Sequence, residues 1–340
     1  MASSSNPPGP FTFTVPGLES DMRIEVFKQV FLVNSIVLKA ASEFFRKFLD
    51  SPDKAKASSG AYQYDWITLV DKDGKSWFLT AREKSTHGPQ DKPYCGNTRE
   101  QIEGMKNVLS AIHNWPIEIK NSRQLCLVAE LADFYRVLPL MSTALHGVFF
   151  GNPELVSSFP DNSAELLEAS FRLRNKLLFR ECFVHVMGPW SKPRYHNLKE
   201  QKLKDLAARA EADLKSRLLE IQLQLVVLSM NSKNTLDYGP GFQAGSEFRD
   251  DMITAISQSS LLGKDNKLLL AGYYRCLFQH EYKRFDRGEK AKLLLKPLLG
   301  NKLVLDRSGV NAGEGKYSDS FLCFELSDAE LPWDVNQRVW

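Results

Sequence analysis

Residues 20–45 read SDMRIEVFKQVFLVNSIVLKAASEFF, and a change of period inside this stretch decides the fold. Met22, Ile24 and Val26 alternate with polar residues, the pattern of a strand with one buried face. The apolar run resumes over Val30–Val33 after the polar pair Lys28 and Gln29, so the two runs predict a β-hairpin. From Ser35 the repeat lengthens. Ile36, Leu38, Ala41, Phe44, Phe45, Phe48 and Leu49 recur at three- and four-residue steps, which predicts one or two short helices with an aromatic inner face. No residue of the stretch has the look of a catalytic group, and its role reads as architecture.

Working outward, FTFTV at 11–15 alternates like a short strand, while residues 1–10, MASSSNPPGP, hold too little apolar surface to bury and predict a disordered tail. After Pro52 comes the polar loop SPDKAKASSG, then the strand YDWITLV, a DKDG turn and a further strand in KSWFLT. AREKSTHGPQDKPYCGN is a long loop. Thr98 as N-cap with Gln101 at the capping-box position opens a helix to Ile112. Helices over Ser122–Tyr135 and Leu138–Phe150 follow, with Pro139 in a first turn. Gly151-Asn152-Pro153 breaks the pattern.

Beyond it, one helical stripe runs through Leu166, Ser170, Leu173 and Leu177 to Cys182, Phe183 and Val186. Between Leu198 and Met230 neither Gly nor Pro occurs, and Glu200–Lys204, Glu211–Lys215 and Asp213–Arg217 are favourably oriented i,i+4 pairs. The apolar residues of this helix, at 203, 206, 210, 214, 218, 221, 225 and 228, drift from a heptad toward 3.6, which favours packing inside its own domain over a dimeric coiled coil. Helices are expected near 247–259, 266–281 and 289–299, followed by a Gly-rich segment and an aromatic tail. The domains so delimited are 1–10, a tail; 11–152; 153–232, a helical extension; and 233–340, a mostly helical region.

Of 340 residues 43% are hydrophobic and 25% charged, enough for two or three buried cores. Lys plus Arg number 44 against 41 Asp plus Glu, a balance that selects neither nucleic acid nor an anionic membrane. The basic run YKRFDRGEKAK at 282–292 is interrupted by Asp286 and Glu289 and reads as a solvated helix start. Five scattered cysteines, an odd number, predict a reducing compartment, hence an intracellular protein of cytoplasm or nucleus. No apolar run is long enough to span a bilayer.

Cys182 and His185 stand at metal-ligand spacing without a second pair, so both are expected in the core, and no metal or other cofactor is expected. His113 and His146 read as packed or capping residues. No nucleophile elbow, phosphate loop or dinucleotide fingerprint occurs, so no catalytic residue is assigned and the chain is expected not to be an enzyme.

The order strand, strand, helix, aromatic helix resembles the BTB/POZ domain of fungal-type members with a helical C-terminal extension. Ser20, Asp21, Phe31, Leu38, Ser42, Phe44 and Phe45 stand in that family's order and spacing, and Leu131, Ala132 and Asp133 in LVAELADFYRVLPL match its late helix pair. The resemblance covers roughly 11–150 and implies an α+β fold, a small mostly three-stranded sheet with a cluster of short helices, here followed by an all-α region. It also implies a protein-protein interaction module, a scaffold or adaptor. Phe31, Leu38, Phe44, Phe45 and Leu131 are expected to be buried together. Two departures matter. Asn34 and Ser35 replace the family's His and basic residue, leaving Asp21 without its charged partner for co-repressors, and 51–64 holds no Glu of the cullin-recruiting signature. Adaptor of a cullin ubiquitin ligase, and enzyme with a site in the C-terminal third, stay as alternatives. Because the family often pairs through its N-terminal strand and first helix, Phe11, Phe13, Val15, Ile36 and Val37 are the candidate interface of a homodimer.

Overall fold

The structure, a computed structural model, describes residues 9–51, 60–85, 93–230, 244–257, 261–263, 266–283 and 285–337. The tail expected at 1–10 and the loop expected at 51–60 fall largely outside these residues, as do 86–92 of the loop expected at 81–97. The chain divides into two compact units, one of residues 1–155 with 172–175 and 336–340, the other of 156–171 with 176–335.

The first unit is α+β. Its strands β1 (Phe11–Thr12), β2 (Met22–Val26), β3 (Gln29–Val33), β4 (Tyr64–Val70) and β5 (Trp77–Ala81) form one mixed sheet in the order β1-β3-β2-β4-β5. The expected three-stranded sheet is thus corrected to five. FTFTV joins its own sheet, pairing parallel to β3 with Phe11 opposite Phe31, and β5 folds back antiparallel on β4. The β2–β3 turn is Phe27–Lys28, one residue earlier than expected, and both residues have positive φ, 48° and 77°. Such turns ordinarily take Asn or Gly. Tertiary contacts hold this one: the Phe27 ring packs 5.4 Å from Trp77 and 5.1 Å from Tyr94, and its N–H donates to Thr68 Oγ1.

Alternation gives the sheet two faces. Met22, Ile24 and Val26 are fully buried. On the other face Arg23 and Arg82 each bind both Glu25 and Asp65, at 2.6–2.9 Å. Burial pushes the Glu25 carboxyl up, and the hydrogen bonds from Arg82 and Arg23 outweigh it, leaving a net lowering. The four groups are partly exposed, so the ring adds little stability and chiefly orders the face.

The helices of this unit are α1 (Ser35–Ala41), α2 (Glu43–Leu49), α3 (Arg82–Ser85), α4 (Thr98–Ile112), α5 (Ser122–Phe134) and α6 (Leu138–Gly151), and α3 corrects the first part of the loop expected at 81–97, since it continues directly from β5. Asn34 caps α1 and Ser42 caps α2. Asn97, not Thr98, caps α4, because its side-chain oxygen accepts from the N–H groups of Arg99 and Glu100. α7 (Pro153–Ser157) and α8 (Ser163–Leu173) follow, then α9 (Lys176–Val186). The single stripe expected from 166 to 186 is broken where Arg174 takes φ 47°.

In the second unit α10 (Gln201–Ser229) buries Leu203, Leu206, Leu214, Leu218 and Leu225, and α11 (Ala244–Ser257), α12 (Leu270–Gln279) and α13 (Phe285–Leu295) accompany it. Of the three expected i,i+4 pairs, Glu211–Lys215 closes, at 3.1 Å. Arg287 donates to the Leu228 and Met230 carbonyls at the end of α10, so part of the basic run caps a helix.

The mostly helical reading of 233–340 is corrected past Leu295. Residues 301–337 contain no α-helix and only two short 3₁₀ turns, Gly315–Tyr317 and Asp328–Glu330. Irregular buried backbone must find partners elsewhere. The Glu181 carboxylate accepts from the N–H groups of Val304 and Leu305, Arg275 donates to the Ala312 and Leu299 carbonyls, and Arg180 donates to the Leu326 carbonyl. Phe321 packs edge-on to Trp190 at 5.2 Å.

Cys182 and His185 lie buried on α9, as expected. Burial lowers the His185 imidazole to about 4; nearby Asp306 opposes the shift, and Lys316 and Arg194 add to it. The unfolded chain takes up this proton near pH 6.5, the folded chain only near 4. Stability is therefore lost as pH falls through that window, by about 3 kcal/mol. Between pH 7 and 4 the unfolding free energy of the protein is expected to fall by this amount relative to that of His185→Gln; parallel curves would contradict the assignment.

Candidate interaction surface

The positions that carry the family resemblance sit at joints of the first unit. Ser42 is fully buried; its hydroxyl donates to the Tyr135 carbonyl at 2.6 Å and accepts from the Phe45 N–H at 3.1 Å. One side chain thereby caps α2 and ties it to the end of α5. That end is closed by Arg136 at φ 55°, whose N–H donates to the Asp133 carbonyl while the Val137 N–H reaches the Ala132 carbonyl. This is the hydrogen-bond pattern of a Schellman cap. Leu131 packs over Gly104 of α4.

Asp21 has found another partner for its missing base. Its two carboxylate oxygens accept from the Ser35 N–H and the Ser35 hydroxyl, both at 2.6 Å. The place where a charged pocket was considered is a neutral donor pair that fixes the start of α1, beside the half-buried Ser20.

Phe31, Leu38, Phe45 and Leu131 are buried, and Phe44 is not: it is half-buried. Helical spacing placed both phenylalanines inward, but neighbours on a helix point about 100° apart. Phe45 stacks on Tyr135 at 5.6 Å and 8° inside the core. Phe44 runs outward from it, 5.1 Å from Tyr135, 4.8 Å from Phe48 and 5.5 Å from Phe134. Burial pushes the Tyr135 phenol far above its ordinary range.

These rings floor a groove of about 1150 Å³ between α1–α2 and α5–α6. Phe134 is 49% exposed and Leu140 36%. The rim is charged on both sides, with Asp133 bound to Arg136 at 3.0 Å, Glu130 facing Arg172 at 3.9 Å, and Lys47 above the Phe48 ring. The composition suits an apolar side chain of a protein partner entering between charged lips. Sequence reading missed Phe134 and Leu140 as exposed residues and Phe48 as a half-buried one, because periodicity alone does not say what neighbouring helices leave uncovered.

Of the five candidate dimer residues, Ile36 is 61% exposed, Phe11, Val15 and Val37 are half-buried, and Phe13 is 1% exposed, stacked on His113 at 4.8 Å. Phe13 is therefore a core residue here, because β1 completes its own sheet. His113 caps α4 as expected, with Nδ1 2.8 Å from the Leu109 carbonyl, whereas His146 is exposed.

Among the described residues no group of three or more His, Cys, Asp or Glu side chains could hold a metal ion, and no helix is long and apolar enough to cross a membrane. No protein-family model matches the chain, and no curated protein matches it.

Proposed function

We propose that residues 11–152 form a BTB/POZ-type protein-interaction module and that the chain acts through its surfaces, as a scaffold or adaptor without catalysis. The open aromatic groove between α1–α2 and α5–α6 carries this reading: Phe134 and Leu140 stay exposed side by side with the half-buried Phe44 and Phe48 in one groove. The structural role of Ser42 supports the resemblance, since it ties α2 to the end of α5, and the Ala132 and Asp133 carbonyls close the turn between α5 and α6. The strongest feature on the enzyme side is the polar cluster of the C-terminal third, where Tyr317 and Lys316 both bind Asp306. Glu181 beside it is engaged by the backbone of Val304 and Leu305. These contacts read as fastenings of an irregular segment.

The test is affinity capture with the full chain and with Phe134→Asp, including a purified cullin N-terminal domain as one defined candidate. A partner of this groove is expected to lose about thirtyfold or more in affinity, the effect of removing a buried aromatic anchor, with the melting temperature little changed. Partners that bind the variant as well as the parent would overturn the groove as the working surface.

A further inference from the structure

α10 carries two apolar stripes, and its own unit uses one of them. Leu203, Leu206, Leu214, Leu218 and Leu225 are buried. On another flank Leu219, Leu223, Val226 and Met230 are 63, 59, 40 and 58% exposed. Their spacing is four, three and four residues, the alternation of d and a positions in a heptad. The same track toward the N-terminus holds Asp205, Arg209, Ala212 and Ser216, all exposed, so a neighbour could run along the helix from 205 to 230. Val227 on α10 and Leu293 on α13 are 66 and 67% exposed and widen the apolar area. Together these side chains present on the order of 500 Å², near the largest apolar patch a monomer leaves bare.

A track with this spacing accepts knobs from another helix with the same spacing. Flanking charge selects which helix. With Leu219 at d, Lys215 falls at g and Glu220 at e of the next heptad, and in a parallel pair those two positions face each other across the seam. Two copies of this chain in parallel register therefore bring Lys215 of each beside Glu220 of the other, on both sides of the twofold axis. Both charges are exposed, and the partners each now has are on its own helix, Glu211 for Lys215 at 3.1 Å and Gln224 for Glu220 at 3.2 Å, contacts that the cross-seam pair would replace.

We propose that two copies of this chain associate through a parallel α10 seam, Leu219 to Met230. The seam is independent of the aromatic groove and of β1. A contact burying on the order of 1,000 Å² in total lies at the small end of specific interfaces, so the dimer forms in the micromolar range.

Sedimentation velocity of the full chain from about 1 to about 100 µM covers that range. The sedimentation coefficient is expected to rise from monomer to dimer. Leu223→Glu is expected to weaken association at least a hundredfold and, being at an exposed position, to leave the melting temperature unchanged. Glu220→Lys is expected to weaken the dimer, and adding Lys215→Glu in the same chain to restore it. Phe134→Asp should leave the dimer intact, which separates this seam from the groove. A chain that stays monomeric throughout overturns the proposal, as does a dimer indifferent to Leu223→Glu. So does a monomer in which Leu223→Glu lowers the melting temperature, the result if residues 231–243 of the same chain cover the stripe. A foreign protein that needs Leu223 while the chain itself stays monomeric also overturns it, and failure of the double reversal to restore the dimer overturns the parallel register.

Discussion

Phe45→Ala is expected to destabilise the N-terminal unit by about 3–5 kcal/mol, the cost of deleting a core aromatic ring. Phe45 is fully buried and stacks on Tyr135 at 5.6 Å. Its ring also lies 6.3 Å from Trp66 of β4, so removal opens a cavity where helix and sheet meet. Phe44→Ala, one residue earlier and half-buried, is expected to cost about half as much or less, since part of that ring already touches water. Chemical denaturation of the two variants side by side measures the difference. Equal losses would contradict the division of the pair into core and groove.

Gly313→Ala is expected to destabilise the second unit by about 3 kcal/mol or more, from two causes acting on one atom. Gly313 takes φ 83°, where an L side chain is strained, and its added Cβ would stand 2.4 Å from the Ala271 carbonyl oxygen and 2.7 Å from Arg275 Cβ. Relief would require moving α12 away from the segment whose Ala312 carbonyl Arg275 holds at 2.7 Å. Gly309→Ala is the control. Its φ of 71° carries the same strain, but nothing lies within 4 Å of the new Cβ, so the cost should be only about 1–2 kcal/mol. Thermal unfolding of both separates backbone strain from collision, and similar midpoints would contradict the close approach of this segment to α12.

Both predictions rest on details that differ in how far they could be read from residues alone. The strand pattern of Met22, Ile24 and Val26 and the helical step from Ile36 to Leu49 are local, and each appears where expected. Periodicity assigns a face to within about one residue, which is why Phe44 and Phe45 were placed together and then separated. Ser42 was legible as part of a family pattern, but the carbonyl it binds is 93 residues away. The aromatic groove was not legible at all, because exposure of Phe134 depends on what α1 and α2 leave uncovered. Residues 301–337 have no apolar period to find; their order comes from charged side chains on helices more than twenty residues distant.

Apart from α3, the order of strands and helices through 9–151, the α+β class, the breaks at Gly and Pro, and the near balance of charge were determined by the amino-acid sequence itself, since turns, caps and amphipathic periods act over a few residues. Tertiary structure alone decided that β1 closes its own sheet, that the Phe27–Lys28 turn is held by Trp77 and Tyr94, and which of the two stripes on α10 is covered. Those choices turn on which surfaces meet across long stretches of chain, and burial free energy depends on that meeting as well as on the apolar area each residue brings to it.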